Sequence, residues 1–181
     1  MTTGRSADGF NEWEQEFAPG EAQQGQARPR LRNSTLENLE FLLGSWETTL
    51  SHAEFLPEPD QVAVGRADFD VVEDGALIVM RQLIELDGPP VARWVIGRDG
   101  SRPDYTVLYS DARDVSRVYQ MSFMGDTWRI WRDDPAFSQR FEARVTPDRA
   151  RMRGSWERRF AGGEWEHDFD VDFSRISSPQ A

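Results

Sequence analysis

The sequence predicts an all-β protein, an antiparallel up-and-down β-barrel of about ten strands with a short N-terminal helix that plugs one end. In the segment 164–173 an acidic residue stands at every second position. The intervening positions carry Trp165, His167, Phe169, Val171 and Phe173. Only an extended strand separates two such sets onto opposite faces. Dipeptides typical of tight turns recur between further apolar runs, and the short links between runs favour a meander.

Composition narrows the classes of partner. The 181 residues suffice for one domain with a hydrophobic core, and 32 acidic against 21 basic residues give a formal net charge of -11. A charge of this sign repels nucleic acid and anionic membranes, so we expect small molecules as partners, with a homodimer left open. The chain has no cysteine and no lysine. Thiol nucleophiles, thiolate metal sites and Schiff-base lysines are therefore excluded.

The chain divides into three parts. Residues 1–33 contain few aliphatic side chains and a glutamine-rich tract, which predicts a flexible tail, although Phe10, Trp13 and Phe17 have the spacing of one helical face and could form a docking helix or lid. We expect the barrel domain over 34–176 and a C-terminal tail over 177–181. No run approaches the roughly 18 apolar residues of a membrane span, and the start leads into no apolar segment, so we expect a cytoplasmic protein.

A short helix is predicted to precede the first strand. Ser34 and Glu37 have the spacing of a capping box, in which two side chains satisfy the free amides of a first helical turn. Leu36, Leu39 and Leu43 would share its apolar face, and Gly44 can adopt the left-handed conformation that ends a helix. A helix this short needs tertiary contacts, so we expect it to plug the barrel.

Turn chemistry sets the register of the hairpins. Asp74-Gly75 predicts a two-residue type I′ turn, which places Val71 opposite Ile78. Further turns are expected at Gly125-Asp126, which places Phe123 opposite Trp128, at Pro147-Asp148 and at Gly162-Gly163. The predicted strands are 44–53, 62–72, 76–86, 91–98, 104–110, 116–124, 127–132, 137–146, 150–160 and 164–174. A closed barrel leaves no strand edge exposed, and a curved open sheet is the alternative.

The segment 41–46, Phe-Leu-Leu-Gly-Ser-Trp, resembles the helix-to-strand G-x-W signature of calycins, the superfamily of lipocalins and fatty-acid-binding proteins. Arg175 matches their terminal arginine. The resemblance implies that Trp46 packs across the barrel bottom with Arg175 against its ring, so Gly44, Trp46 and Arg175 would be structural. The stretch 41–175 is also similar to an uncharacterised bacterial family of calycin-like barrels. Its members carry segments like 108–111, 128–133 and 165–170.

The last hairpin supplies the candidate site. Strict alternation directs His167 into the barrel, and the Gly162-Gly163 turn places Arg158 opposite it, with Arg159 opposite Glu166 outside. An enclosed arginine disfavours the protonated imidazole, which leaves a neutral histidine and a cation for an anionic ligand. A satisfied interior polar group is the simpler interpretation. His167 also occupies a position comparable to the haem-binding histidine of nitrobindins, which are distant relatives in shape.

The leading hypothesis is a module that binds a small hydrophobic molecule through His167, Arg158, Tyr109 and His52. His52 lies either on the inward face of the first strand or in the loop after it. The alternative is a cofactor-independent cyclase or isomerase with His167 or a tyrosine as its acid-base group; haem binding through His167 ranks third and a protein-interaction scaffold fourth. No motif of a catalytic triad or phosphate loop occurs, which favours a binder over an enzyme and leaves catalysis open. Two histidines make a poor metal site, so we expect no metal, and no cofactor unless His167 binds haem.

Overall fold

The computed structural model describes residues 31–58, 60–84 and 91–176. They form ten antiparallel strands that close into a barrel, in which each strand pairs with the next and the first pairs with the last. The strands are β1 Gly44–Ser51, β2 Ala63–Val72, β3 Leu77–Ile84, β4 Ala92–Gly97, β5 Tyr105–Asp111, β6 Ser116–Met124, β7 Thr127–Arg132, β8 Phe137–Val145, β9 Arg151–Phe160 and β10 Glu166–Arg175. The predicted barrel is confirmed, and the open sheet is not formed.

Closure is made by β1 and β10, which pair over six positions from Trp46 opposite Arg175 to Ser51 opposite Asp170. This pairing satisfies the backbone groups that an open sheet would expose at its two edges. The inward side chains of the strands then fill or line one interior.

The predicted registers of the first two hairpins are correct. Val71 lies opposite Ile78 in the β2–β3 ladder, and Phe123 lies opposite Trp128 in the β6–β7 ladder. The β2–β3 connection is longer than the predicted two residues, because Glu73–Gly75 form a short 3₁₀ turn and Val72 and Leu77 are the last paired residues. The register is unchanged, since the longer loop removes one residue from each strand end.

The predicted N-terminal helix is a 3₁₀ helix over Ser34–Leu42. Leu36, Leu39 and Leu42 are fully buried, and their spacing of three residues is the period of a 3₁₀ helix. The predicted capping box is not formed. Asn33 caps the helix instead, and its side chain accepts a 3.0 Å hydrogen bond from the amide of Thr35.

The helix closes one end of the barrel through contacts with β1 and β10. The indole of Trp46 donates a 2.7 Å hydrogen bond to the carbonyl of Leu42. The guanidinium of Arg175 lies 4.2 Å from the centre of the Trp46 ring and donates to the carbonyls of Phe41 and Leu43. This is the contact that the calycin resemblance implies. Gly44 has a φ of 104°, where a side chain would be strained.

A β-bulge interrupts the pairing of β9 and β10 between His167 and Phe169. After the bulge the predicted register holds, with Phe169 opposite Trp156. Before it, His167 lies opposite Glu157 and not opposite Arg158. One extra residue in a strand reverses the faces of all residues on one side of it, so the predicted inward direction of His167 is wrong. Its side chain is 47% exposed.

The bulge also determines which ion pairs form on the outer face of the β9–β10 hairpin. Arg153 pairs with Asp172, at 3.0 Å, in the part of the ladder where the register expected from the Gly162-Gly163 turn holds. Arg159 does not pair with Glu166 but with Asp133, at 2.8 Å. The ring of Trp165, predicted to point inward, lies near the guanidinium of Arg159 on the outer face.

The two predicted tails fall largely outside the described residues. Of residues 1–33 only 31–33 are described, and the amides of Arg32 and Asn33 donate to the carbonyl of Gly75. The predicted C-terminal tail, 177–181, lies wholly outside. Among the residues that the structure describes, no helix has the length and apolar character needed to cross a membrane.

Candidate functional site

The barrel is hollow toward the end opposite the helix and encloses a cavity of about 360 Å³. Its walls are formed mainly by inward-facing apolar and aromatic side chains from most of the strands. The lining residues are Leu50, Phe55, Gln82, Ile84, Ala92, Trp94, Val107, Tyr109, Arg113, Arg117, Tyr119, Trp128, Ile130, Gln139, Phe141, Trp156, Phe169, Val171 and Phe173. An apolar cavity with few polar groups is the usual form of a small-molecule site.

Aromatic rings contact one another around much of the wall. Trp156 stacks on Phe141 with ring centres 5.1 Å apart and on Phe169 at 6.0 Å. The ring of Tyr119 meets Trp156 edge to face at 5.9 Å, and Tyr109 meets Tyr119 at 6.3 Å. Ring faces and edges of this kind offer stacking contacts to a flat apolar ligand.

The first polar group at the cavity consists of Tyr109, Asp111 and Arg113, at the end of β5 and in the turn that follows. The hydroxyl of Tyr109 donates a 2.6 Å hydrogen bond to Asp111, and the Arg113 guanidinium donates another of 2.6 Å to the same carboxylate oxygen. The Asp111 side chain is 0% exposed. Its carboxylate is therefore held in place by a phenol on one strand position and a cation in the turn.

These contacts shift two pKa values in opposite directions. Burial alone would raise the pKa of Asp111, but hydrogen bonds from Arg113 and Tyr109 outweigh it and lower the value to about 2. Burial, with the hydrogen bond to Asp111, raises the pKa of Tyr109 well above its usual range. At neutral pH Asp111 is an anion and Tyr109 a neutral phenol.

The second polar group is centred on Gln139, a buried residue of β8. Its side-chain oxygen accepts hydrogen bonds from the Tyr119 hydroxyl, at 2.7 Å, and from Arg117, at 3.2 Å. Its amide nitrogen donates to Asp168 at 2.8 Å. Burial raises the pKa of Tyr119. The oxygen and the nitrogen of the Gln139 side chain thus both form hydrogen bonds to neighbouring side chains.

Arg158 lies beside the cavity and does not line it. One of its guanidinium nitrogens lies 3.4 Å from Asp168, and the other donates to Glu54. The side chain is largely buried between these two carboxylates. The predicted pair of Arg158 with His167 is not formed, because the β-bulge brings Asp168 inward in place of the imidazole.

His52 and His167 meet outside the barrel on a shared carboxylate. The Nδ1 atom of His52 and the Nε2 atom of His167 each lie 2.9 Å from Asp170. Burial of Asp170 acts to raise its pKa, but the two imidazoles outweigh that effect and lower it. The His52 side chain is 67% exposed and follows β1 in a left-handed conformation. Neither histidine lines the cavity. Of the two positions expected for His52, the structure has the one in the loop after β1.

The segment that follows β1 also contributes to the cavity. Phe55 lines it and meets Phe169 edge to face with ring centres 5.6 Å apart. His52 and Glu54 hold the same loop to β10 and β9 through Asp170 and Arg158. The two histidines therefore stabilise the edge of the cavity from outside.

Of the four predicted ligand-binding residues, Tyr109 alone reaches the cavity, and the other three lie beside or outside it. Sequence reasoning missed Gln139, although Phe137 and Phe141 flank it at alternate positions and indicate an inward direction. Asp168 gave no such signal, because strict alternation places it outside. No three His, Asp or Glu side chains within 31–58, 60–84 and 91–176 are arranged to hold a metal ion.

Comparisons with known proteins identify the fold. No protein-family profile matches the chain, and no curated protein matches it. The crystal structure of Rv2717c from M. tuberculosis is similar, with a TM-score of 0.58 and 14% sequence identity over 80% of this chain and 98% of that one. At this identity the likeness concerns backbone architecture. The chain therefore shares a closed β-barrel fold with Rv2717c.

Proposed function

We propose that this protein binds a small hydrophobic or amphipathic molecule inside its barrel. The observation that carries the proposal is the cavity of about 360 Å³ with aromatic walls and polar groups at a few positions. Ligand sites have volumes of about 300–1,000 Å³ and the same apolar lining. The cavity is at the small end of that range, which favours a compact ligand. The calycin resemblance supports the same role by analogy of fold.

The pKa values of the residues at the cavity favour ligand binding over catalysis. A general acid or base works best with a pKa near the operating pH. The pKa of Tyr109 is raised above its usual range and that of Asp111 is lowered to about 2, so both move away from neutrality. His167, the residue expected to act as acid or base, lies outside the cavity. A cyclase or isomerase would have to rely on a tyrosine.

The residues of the cavity do not fit a haem held by histidine. The chain has two histidines, and both are bound to Asp170 on the outer face. We therefore do not extend the nitrobindin resemblance to cofactor binding. A cytoplasmic location and a homodimer stay predictions of the sequence.

Titration with N-phenylnaphthylamine, an uncharged dye that fluoresces in apolar surroundings, tests the proposal. Val171 lines the cavity opposite Gly154, so Val171→Phe adds a ring to the interior. We expect wild-type protein to bind the dye and Val171→Phe to bind it about 10-fold more weakly or not at all.

Val118→Phe is the matched control, because Val118 is 56% exposed on the outer face of β6. It makes the same substitution without changing the cavity, and its affinity should equal that of the wild type. Absence of dye binding to the folded wild type, or equal binding by both variants, would contradict the proposal.

A further inference from the structure

Arg117 differs from the other arginines at the cavity in its surroundings. It lies on the inward face of β6, directly opposite Tyr109 in the β5–β6 ladder, and it lines the cavity. Its guanidinium donates to the uncharged oxygen of Gln139 at 3.2 Å and lies 4.5 Å from the centre of the Phe137 ring. These contacts hold the side chain in place without neutralising its charge.

Arg113 and Arg158 have carboxylate partners, whereas Arg117 has none within ion-pair distance among the described residues. Asp111 neutralises Arg113, and Asp168 with Glu54 neutralises Arg158. Gln139 lies between Arg117 and Asp168, because its oxygen accepts from Arg117 and its nitrogen donates to Asp168. A half-buried cation beside an apolar cavity loses hydration and gains from an anionic partner.

The tyrosine hydroxyl groups near Arg117 already donate their hydrogen bonds to other side chains. Tyr109 donates to Asp111, and Tyr119 donates to Gln139. A phenol has one proton, so neither hydroxyl has a proton left for a ligand. Apart from the uncharged N–H groups of Gln82, Trp94 and Trp128, a negative group that enters the cavity would therefore find charged donors on Arg117.

We propose that the ligand is an organic anion whose single carboxylate or sulfonate group binds Arg117, while its apolar body lies against the aromatic wall formed by Trp94, Tyr119, Phe141, Trp156 and Phe169. This inference rests on the proposed binding function and names the class of ligand. A doubly charged ligand would place a second anion against apolar side chains, which is costly.

Two dyes that share one scaffold test the inference. Anilinonaphthalene sulfonate carries an anionic group that N-phenylnaphthylamine lacks. We expect Arg117→Gln to lower the affinity for the sulfonate dye by about 10- to 100-fold, the usual effect of a lost charge-assisted hydrogen bond. Its effect on the uncharged dye should stay within about threefold, because the aromatic wall is unchanged.

Arg129→Gln is the matched control, since Arg129 lies on the outer face of β7 in an exposed pair with Glu142. It removes the same charge from the protein and should leave both affinities unchanged. Arg117→Lys keeps the charge but not the planar fork of donors, so we expect an intermediate loss for the sulfonate dye alone. It also serves if Arg117→Gln fails to fold.

The outcomes separate the two proposals. If the wild type binds both dyes and neither Arg117 variant discriminates between them, the ligand class is wrong and the binding function stands. If Arg129→Gln weakens the sulfonate dye as much as Arg117→Gln does, net charge explains the effect and the inference fails. If the folded wild type binds neither dye, both proposals are overturned.

Discussion

The carboxylate of Asp168 accepts a 2.8 Å hydrogen bond from the side-chain amide of Gln139, and both side chains are buried. The β-bulge beside Asp168 makes this contact possible, because it reverses the faces of β10 before Phe169. The polar group that a regular strand would have built from His167 is built from Asp168 instead.

This reversal predicts opposite costs for two neighbouring substitutions. Asp168→Ala removes a buried acceptor from Gln139 and Arg158, and we expect the free energy of unfolding to fall by about 2–4 kcal/mol. His167→Ala removes an exposed side chain and should cost less than about 1 kcal/mol. Urea denaturation of both variants measures the difference. A larger cost at His167 than at Asp168 would indicate a regular strand with the imidazole inside.

Arg175 should stabilise the closed end of the barrel. Its guanidinium lies over Trp46 and donates to two carbonyls at the end of the 3₁₀ helix, so Arg175→Ala removes several contacts at once. We expect a loss of about 2–3 kcal/mol in the free energy of unfolding. Arg153→Ala, which removes an exposed ion pair with Asp172, is the control and should cost less than about 1 kcal/mol. Equal small losses would show that the helix is held by burial of its leucines alone.

Asp111 should make stability depend on acidic pH. Its pKa in the folded protein is about 2, below the value of about 3.9 expected in the unfolded chain. A carboxyl group whose pKa is lower in the folded than in the unfolded protein stabilises the folded state at pH values above its unfolded-state pKa. That stabilisation is lost as the pH falls toward the folded-state pKa. The stability difference between wild type and Asp111→Asn should therefore shrink by about 2 kcal/mol from pH about 5 to pH about 2. A difference that stays constant over this range would mean that the pKa is not lowered.

Haemin provides a test of the histidine positions. Both histidines bind Asp170 outside the barrel, so we expect the Soret band of added haemin to be the same in the wild type and in His167→Ala. Spectra of the wild type, His167→Ala and His52→Ala, recorded at equal concentrations, make the comparison. A Soret shift that His167→Ala alone abolishes would show that this imidazole ligates the iron.

The barrel could be predicted from the sequence because its signals are local. Alternation along each strand and the turn at Gly125-Asp126 fix which residues face inward and which pair. The helix position followed from its apolar spacing, although Asn33 and not Ser34 is its cap. Such features depend on a few neighbouring residues, so one sequence is enough to identify them.

The site could be predicted only in part, because it depends on a β-bulge and on long-range contacts. Tyr109, which the sequence offers as a ligand contact, lines the cavity. His167 was misplaced, because a bulge is stabilised by what it brings together, here Asp168 with Gln139 and Arg158, which are distant in the chain. Alternation also reports direction and not space, so the cavity itself could not be inferred from strand patterns.

The central claim is that a ligand occupies the barrel interior, and the indole signals of the seven tryptophans test it most directly. Trp94, Trp128 and Trp156 line the cavity, whereas Trp131 and Trp165 lie at a shallow outer hollow beside Arg140. In two-dimensional proton–nitrogen spectra, N-phenylnaphthylamine should shift the three cavity signals and leave the two outer ones in place. Single Trp→Phe variants assign the signals. Shifts confined to Trp131 and Trp165, with the cavity signals unchanged, would contradict binding inside the barrel.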